Sequence, residues 1–312
     1  MGELAARKAA DSLIREAASG KKVALWLMAA PSGFTFYEAF TSLVAAEPIL
    51  AAILRTARYF QFDDYPVGRD DSRFPITFRH LLETRFFGPL ERITGFLPGK
   101  RLLELRGDAG DGEVIDAYRR ALLEVLEDES WFVVEVKGIG MDGHWGFHGK
   151  ETPLDEPPGF VRVRMNQQNI QQQLLDWPEY FRSASDVPAT AVTADAALFM
   201  MADLIIDLVP QESKAFAVLA CYGPRRVSPR VPSSLLKNHP DAHSFLTELS
   251  AGALLEYRRD GTPERPVSDR TLERLKAAWR NPANPERELE NVEEMLETLN
   301  EVFRADALPR IG

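Results

Sequence analysis

Short, almost uninterrupted apolar runs, each closed by a loop containing glycine, proline or aspartate and then by a helical pattern, restrict this chain to few folds. Residues 22–30, "KVALWLMAA", are too continuously apolar for a half-exposed strand and read as one buried on both faces. "ARYFQF" at 57–62, a short "KRLLEL" at 100–105, "WFVVEV" at 131–136 and "LIIDLVP" at 204–210 read as further strands. Helical spacing covers 3–18, where Gly20 gives a C-terminal stop, then 36–47, about 73–88 and 112–127. Further on, "FVRVRMN" and "ATAVT" read as strands, and "DAALFMMA", "ESKAFAVLACYG" and "HSFLTELSAGALLEY" as helices. Strands alternating with helices imply right-handed crossovers and a mostly parallel sheet covered on both faces, an α/β fold. No internal repeat is evident. Beyond about residue 262 the sequence turns polar and helical, "SDRTLERLKAAW" and "PERELENVEEMLETLNEVF" split by "NPANP". The expected division is therefore an α/β domain at 1–262 and a helical C-terminal extension at 263–312. That extension would dock on the domain, pair with another subunit or cover a pocket.

Charge excludes some functions. A formal net charge of −10 argues against general binding to nucleic acid or an anionic membrane, while leaving room for a local cationic pocket. The single cysteine, Cys221, excludes an intramolecular disulfide framework and a cysteine-rich zinc site, and its apolar helical context reads as a buried thiol. The N-terminal 22 residues lack the apolar core of a signal peptide, and no apolar run approaches the roughly 20 residues that cross a bilayer. A cytoplasmic protein is expected, with room for a homo-oligomer.

In open parallel sheets ligands bind at the carboxyl ends of the strands, and here the loops at those ends carry the chemistry. "PSGFT" can aim backbone N–H groups, Ser32 and Thr35 at an anion, or it is a plain turn with hydroxyl caps. It has neither the Walker nor the dinucleotide glycine spacing. "QFDDYPVG" puts two carboxylates at a strand end, pointing to opposite sides. One, Asp63 or Asp64, faces the pocket as a candidate general base and the other pairs structurally. "GIGMDGHWGFHGK" places Asp142 two residues before His144, a carboxylate-held histidine able to move a proton near neutral pH. A metal at Asp142, His144 and His148 is weakly supported by so loose a turn, and none is expected. Lys214 opens a helix, where a cation opposes the dipole unless an anion is present. Arg225, Arg226 and Arg230 form an arginine cluster in a Pro-broken loop.

Taken in order, these stretches resemble the glucosamine-6-phosphate deaminase (isomerase) family, which shares a Rossmann-like three-layer αβα fold of the sugar-phosphate isomerase/deaminase type with 6-phosphogluconolactonases. "PSGFT" is similar to the family's Pro-Thr-Gly-Gly-Thr loop, and "DDYPVG" to Asp-Glu-Tyr-Val-Gly with a proline inserted. "GIGMDGHWGF" matches Gly-x-Gly-x-Asp-Gly-His-x-x-Phe, Lys214-Ala215 matches Lys-Ala, and "VPSSLLKNHP" looks like Ser-x-Leu-x-x-His-Pro. The likeness spans roughly residues 20–250. It implies an enzyme of amino-sugar and carbohydrate metabolism in which Asp63 carries the C2 proton of an opened amino-sugar phosphate to C1, with loss of ammonia. His144 would open the ring, held by Asp142. Ser32, Gly33, Thr35 and Lys214 would hold the phosphate, with Asp64, Gly143, Arg225 and Arg226 as further contacts. No cofactor is implied.

Three positions depart from the family. Its glutamate five residues after the histidine is Gly149 here, with Glu151 out of register. Its phosphate-binding arginine should fall near 172–176, where "QQQLLD" has glutamines and an aspartate. Its second loop glycine is Phe34. A glutamine supplies no charge in place of a bidentate guanidinium. Either Arg225 or Arg226 compensates, or the ligand differs from an ordinary hexosamine phosphate. Arg162 and Arg164 look similar to a basic pair used for allosteric control, and read here as an exposed strand face. The alternatives to the deaminase are a non-catalytic sugar-phosphate-binding protein and a 6-phosphogluconolactonase-like hydrolase. The lactonase signatures Asp-Glu-Arg and Asp-Gly-His-Thr-Ala-Ser are absent.

Overall fold

The computed structural model describes residues 1–148, 158–278 and 286–307. Five strands form one parallel sheet: β1 (Lys22–Leu27), β2 (Arg58–Gln61), β4 (Trp131–Lys137), β7 (Leu204–Val209) and β8 (Ala242–Leu246), in the order β2-β1-β4-β7-β8. Three more, β3 (Asp63–Asp64), β5 (Phe160–Arg164) and β6 (Thr190–Ala194), make an antiparallel sheet in the order β3-β6-β5. Every residue of β4 and β7 is buried, as their continuous apolar character requires. The helices in chain order are α1 (Gly2–Ala18), α2 (Phe34–Ala46), α3 (Pro48–Thr56), α4 (Phe78–Leu82), α5 (Gly88–Thr94) and α6 (Asp111–Leu126). They continue as α7 (Gln167–Asp176), α8 (Ala196–Phe199), α9 (Ala215–Tyr222), α10 (Glu248–Asp260), α11 (Asp269–Ala278) and α12 (Glu286–Ala307). α1 lies on the sheet with its buried alanines Ala5, Ala6, Ala9 and Ala10 and Leu13 as the contact stripe. Among the described residues no single helix is long and apolar enough to cross a membrane.

Chain order creates a switch point. The chain passes from β1 to β2 on one side, then returns to place β4 on the other side of β1. The register Lys22↔Trp131 to Leu27↔Val136 brings the ends of β1 and β4 level, so their following loops open on one crevice.

Two expected elements differ. "KRLLEL" contributes only one bridge, Lys100 beside Tyr59. Beyond it side chains take the backbone groups that a ladder would use: the Leu103 N–H donates to Gln61 Oε1 at 3.2 Å, and Arg79 Nη1 donates to the Leu103 carbonyl at 2.7 Å. "HSFLTELSAGALLEY" is not one helix. Its first four residues lie in β8, the sheet edge, and Thr247 then caps α10 in a reciprocal pair with Ser250. The segment expected as a helix near 73–88 runs on to Thr94, with a π-type turn at Glu83–Phe87.

In α12, Val292, Met295, Leu299, Val302 and Phe303 are buried in one cluster with Phe216, Leu219 and Cys221 of α9 and with Met141. Burial pushes the Cys221 thiol up to about 12. α12 thus packs on the α/β core through these residues. Phe303 is fully buried edge-on to Tyr257, with centroids 4.7 Å apart. Phe303→Ala is expected to lower the unfolding free energy by about 3–5 kcal/mol, measured by urea titration; a change within 0.5 kcal/mol, the usual range for surface sites, would mean that α12 is not docked in solution.

Candidate active site

The crevice between β1 and β4 holds a cavity. Met28, Ala29, Ala30 and Pro31 line it after β1, Phe62 and Asp63 after β2, and Gly138, Ile139, Gly140 and His144 after β4. Gln172, Gln173, Asp176 and Trp177 come from α7 and its end, and Lys214 from the turn before α9.

Asp63 and Asp64 point apart, as strand alternation requires. Asp64 is fully buried: its carboxylate accepts from the N–H groups of Tyr65 at 2.7 Å and Phe78 at 2.8 Å, from Gln61 Nε2 at 3.0 Å, and pairs with Arg79 Nη1 at 3.2 Å. Its expected ligand contact is therefore corrected: every one of these partners is structural. Asp63 lines the cavity, and among the described residues nothing donates to its carboxylate. Burial first, and then the neighbouring Asp64, push the Asp63 carboxyl well above the usual carboxylate range.

His144 lines the same cavity, with Nδ1 held by Asp142 Oδ1 at 2.6 Å. That leaves Nε2 for a ligand. Asp142 itself stands behind the ring and outside the cavity lining. Burial would raise its carboxyl, but the charge and hydrogen bonds of His144 outweigh this and hold it below the usual value. The turn is fixed from several sides. Ser233 Oγ donates to the His144 carbonyl at 3.0 Å, and its N–H to the Gly143 carbonyl at 2.9 Å. Trp145 stacks on Phe199 at 4.8 Å and donates from Nε1 to buried Glu135, with Lys137 over its ring at 4.4 Å. Gly143 takes φ +87°, packs against Val231 and does not line the cavity, so it is a turn residue and not a ligand contact.

The anion end is partly as expected. Lys214 is buried and donates from Nζ to Ser32 Oγ at 2.9 Å; Ser32 donates on to Gln211 Oε1 at 3.0 Å. Ser32 and Gly33 are buried in a single 3-10 turn just behind Pro31, which lines the cavity in their stead. Thr35 is corrected: the turn runs straight into α2, which carries Thr35 to the outer surface against Gly2. Arg225 and Arg226 are also corrected. Their backbone N–H groups donate to Asp306 at 2.9 and 3.1 Å, and Arg230 pairs with Glu301, so this loop is held by α12 and away from the cavity. Arg162 pairs with Asp111 at 3.0 Å. His148, the further histidine of the motif, turns its Nε2 to the Ala194 carbonyl at 2.7 Å. Gly149 and Glu151 lie outside the described residues.

Two cavity-lining positions escaped assignment from sequence. Gln173 and Asp176 lie one turn apart on α7 and both line the cavity. The one signal for them in the sequence was the departure from an arginine near 172–176. Gln172 bridges the turn and the helix, accepting from the Met141 N–H at 3.0 Å and donating to Asp176 at 3.2 Å.

No family model matches the chain. Glucosamine-6-phosphate deaminase of Streptococcus pneumoniae is 29% identical over 196 residues, which covers 62% of this chain and 74% of the relative. A monomeric glucosamine-6-phosphate deaminase superposes with a TM-score of 0.65 at 22% identity, over 80% of this chain and 94% of that one. The 6-phosphogluconolactonase of Trypanosoma brucei superposes at 0.57 and 13% identity, over 81% and 96%. These likenesses support the resemblance read from the motifs, and the fold is the one that these enzymes share.

A Cβ on Gly140 would stand 2.2 Å from the His144 ring, so only glycine lets the imidazole lie there. Gly140→Ala is expected to break the His144–Asp142 contact with the fold intact. The His144 ring resonances should then move as the carboxylate contact is lost, followed by NMR; unchanged ring shifts would show that the turn absorbs the methyl.

Proposed function

We propose that this chain, which shares the fold and the motif order of the glucosamine-6-phosphate deaminases, is an aldose–ketose isomerase and deaminase acting on an amino sugar of the glucosamine 6-phosphate type. The observation that carries this reading is one cavity holding an unbonded, buried carboxylate beside a histidine whose second nitrogen is already tied to an aspartate. His144 moves the proton between the ring oxygen and the C1 hydroxyl that opens the pyranose. Asp63 removes the C2 hydrogen as a proton and returns it to C1, giving a ketose imine; water adds at C2 and ammonia leaves. Hexosamine and water thus become ketose and ammonia. Lys214, backed by Ser32, lines the cavity at the end where the resemblance puts a phosphate.

The raised carboxyl of Asp63 suits a general base working near neutral pH. Its sign is plain: the base is active only when ionised, so activity rises with pH through that raised value and is lost below it. Glucosamine and glucosamine 6-phosphate are to be incubated in deuterated water with the enzyme. Deuterium at C1 and ammonia release are expected with at least one of them, reduced by about 10²–10⁴-fold in Asp63→Asn. The acid limb of the pH profile should lie above the ordinary aspartate value of about 4. Absence of exchange with both sugars, in a folded enzyme, would overturn the reading. Lactone hydrolysis without exchange would instead favour the hydrolase of the superfamily. The absence of an arginine near 172–176, where glutamines and an aspartate stand, favours, as a second reading, a sugar-binding protein without turnover, which binding without exchange would reveal.

A further inference from the structure

Among the described residues the ionisable side chains lining the cavity are Asp63, Asp176, His144 and Lys214, two carboxylates against one ammonium. Lys214 is already engaged with Ser32; burial raises the Asp176 carboxyl and lowers the Lys214 ammonium, and the two lie close enough for each to favour the other's charge against this. A phosphate dianion at this end would meet a lysine whose charge is compensated and a carboxylate that repels it. No guanidinium makes up the difference among the described residues. Arg79 is spent on Asp64, neither Arg225 nor Arg226 lines the cavity, and Arg85 stacks on Phe34 outside the lining. A second, independent feature points the same way. Gln173 is 7% exposed, lines the cavity, and its Oε1 has no hydrogen-bond partner. A buried acceptor left open is costly unless a ligand donates to it.

We infer that this cavity is built for an unphosphorylated amino sugar, with Asp176 and Gln173 as specificity-determining residues that accept from the hydroxyl groups at its distal end. The inference rests on the proton-transfer reading for the orientation of the sugar. Its chemistry is a change of the ligand's distal group alone: a free C6 hydroxyl can donate to Asp176 or to the open carbonyl oxygen of Gln173, where a phosphate monoester needs added positive charge.

Titration calorimetry on the full chain with glucosamine, glucosamine 6-phosphate and inorganic phosphate tests it. Glucosamine is expected to bind at least ten-fold more tightly than its 6-phosphate, and inorganic phosphate to give no heat. Gln173→Arg combined with Asp176→Asn should reverse the order. If that pair fails to fold, the isosteric Asp176→Asn alone should narrow the ratio several-fold. A wild-type preference for the 6-phosphate, no binding of either sugar, or a ratio unmoved in the folded variants would each overturn the inference. The proton-transfer reading stands or falls separately, on deuterium exchange at C1, whichever sugar binds better.

Discussion

The buried pair between Asp64 and Arg79 determines how this site is built. Both side chains are wholly inaccessible, and Arg79 also donates to the carbonyls of Val67, Leu103 and Leu105. An ion pair taken out of water contributes little net stability, but a misplaced one costs several kcal/mol. Its effect is therefore on arrangement. With Asp64 committed to Arg79 and to the start of α4, a slip of the two-residue strand β3 by one position would break every one of these bonds and turn Asp64 to the cavity. The pair thus decides which of two adjacent, chemically identical carboxylates faces the ligand. It also raises the basicity of the free one, since a second carboxylate one residue away disfavours another negative charge.

The same pair explains the missing strand. "KRLLEL" has the composition of a strand, yet its carbonyls at Leu103 and Leu105 serve as acceptors for the Arg79 guanidinium. Propensity reports how a side chain fits a pleated surface, not whether a buried cation elsewhere needs the backbone oxygens. The final helix was misread for a related reason. "AHSFL" pairs with β7 through residues Ile205 to Val209, a partner set far away in sequence, and the capping box at Thr247 marks where local preference takes over.

The remainder of the frame was legible because it depends on local signals. Continuous apolar runs on β1, β4 and β7 announced strands buried on both faces, and the glycine-rich loop after β4 announced a turn that other residues resist. Asp63, His144 and Lys214 came from loops at strand ends and meet in one cavity. Thr35, Arg225 and Arg226 were assigned by proximity in sequence to such loops and do not meet it. One helical turn after "PSG" is enough to carry Thr35 outside, and a tail helix some eighty residues away claims the arginine loop. Gln173 and Asp176 were visible only as a departure, because residues on a helix have no sequence mark for the side they present to a distant strand end.

The tail then belongs to the physics of the site. Met141, beside Asp142, and Val231, against which Gly143 packs, lie in the apolar cluster that Met295, Val302 and Phe303 complete. Asp142 itself looks onto α12, sharing a small cavity with Met295 and Thr298. The His144 turn therefore has a ligand face formed by β1, β2 and α7 and a rear face formed by α9 and α12. A turn of this glycine content has little rigidity of its own. Holding an imidazole nitrogen 2.6 Å from its carboxylate requires support from both faces. The front supplies Gly140 and Gln172; the rear supplies Ser233, Val231 and the docked helix. α12 acts at a distance from the ligand, through the packing that keeps Asp142 where His144 can use it.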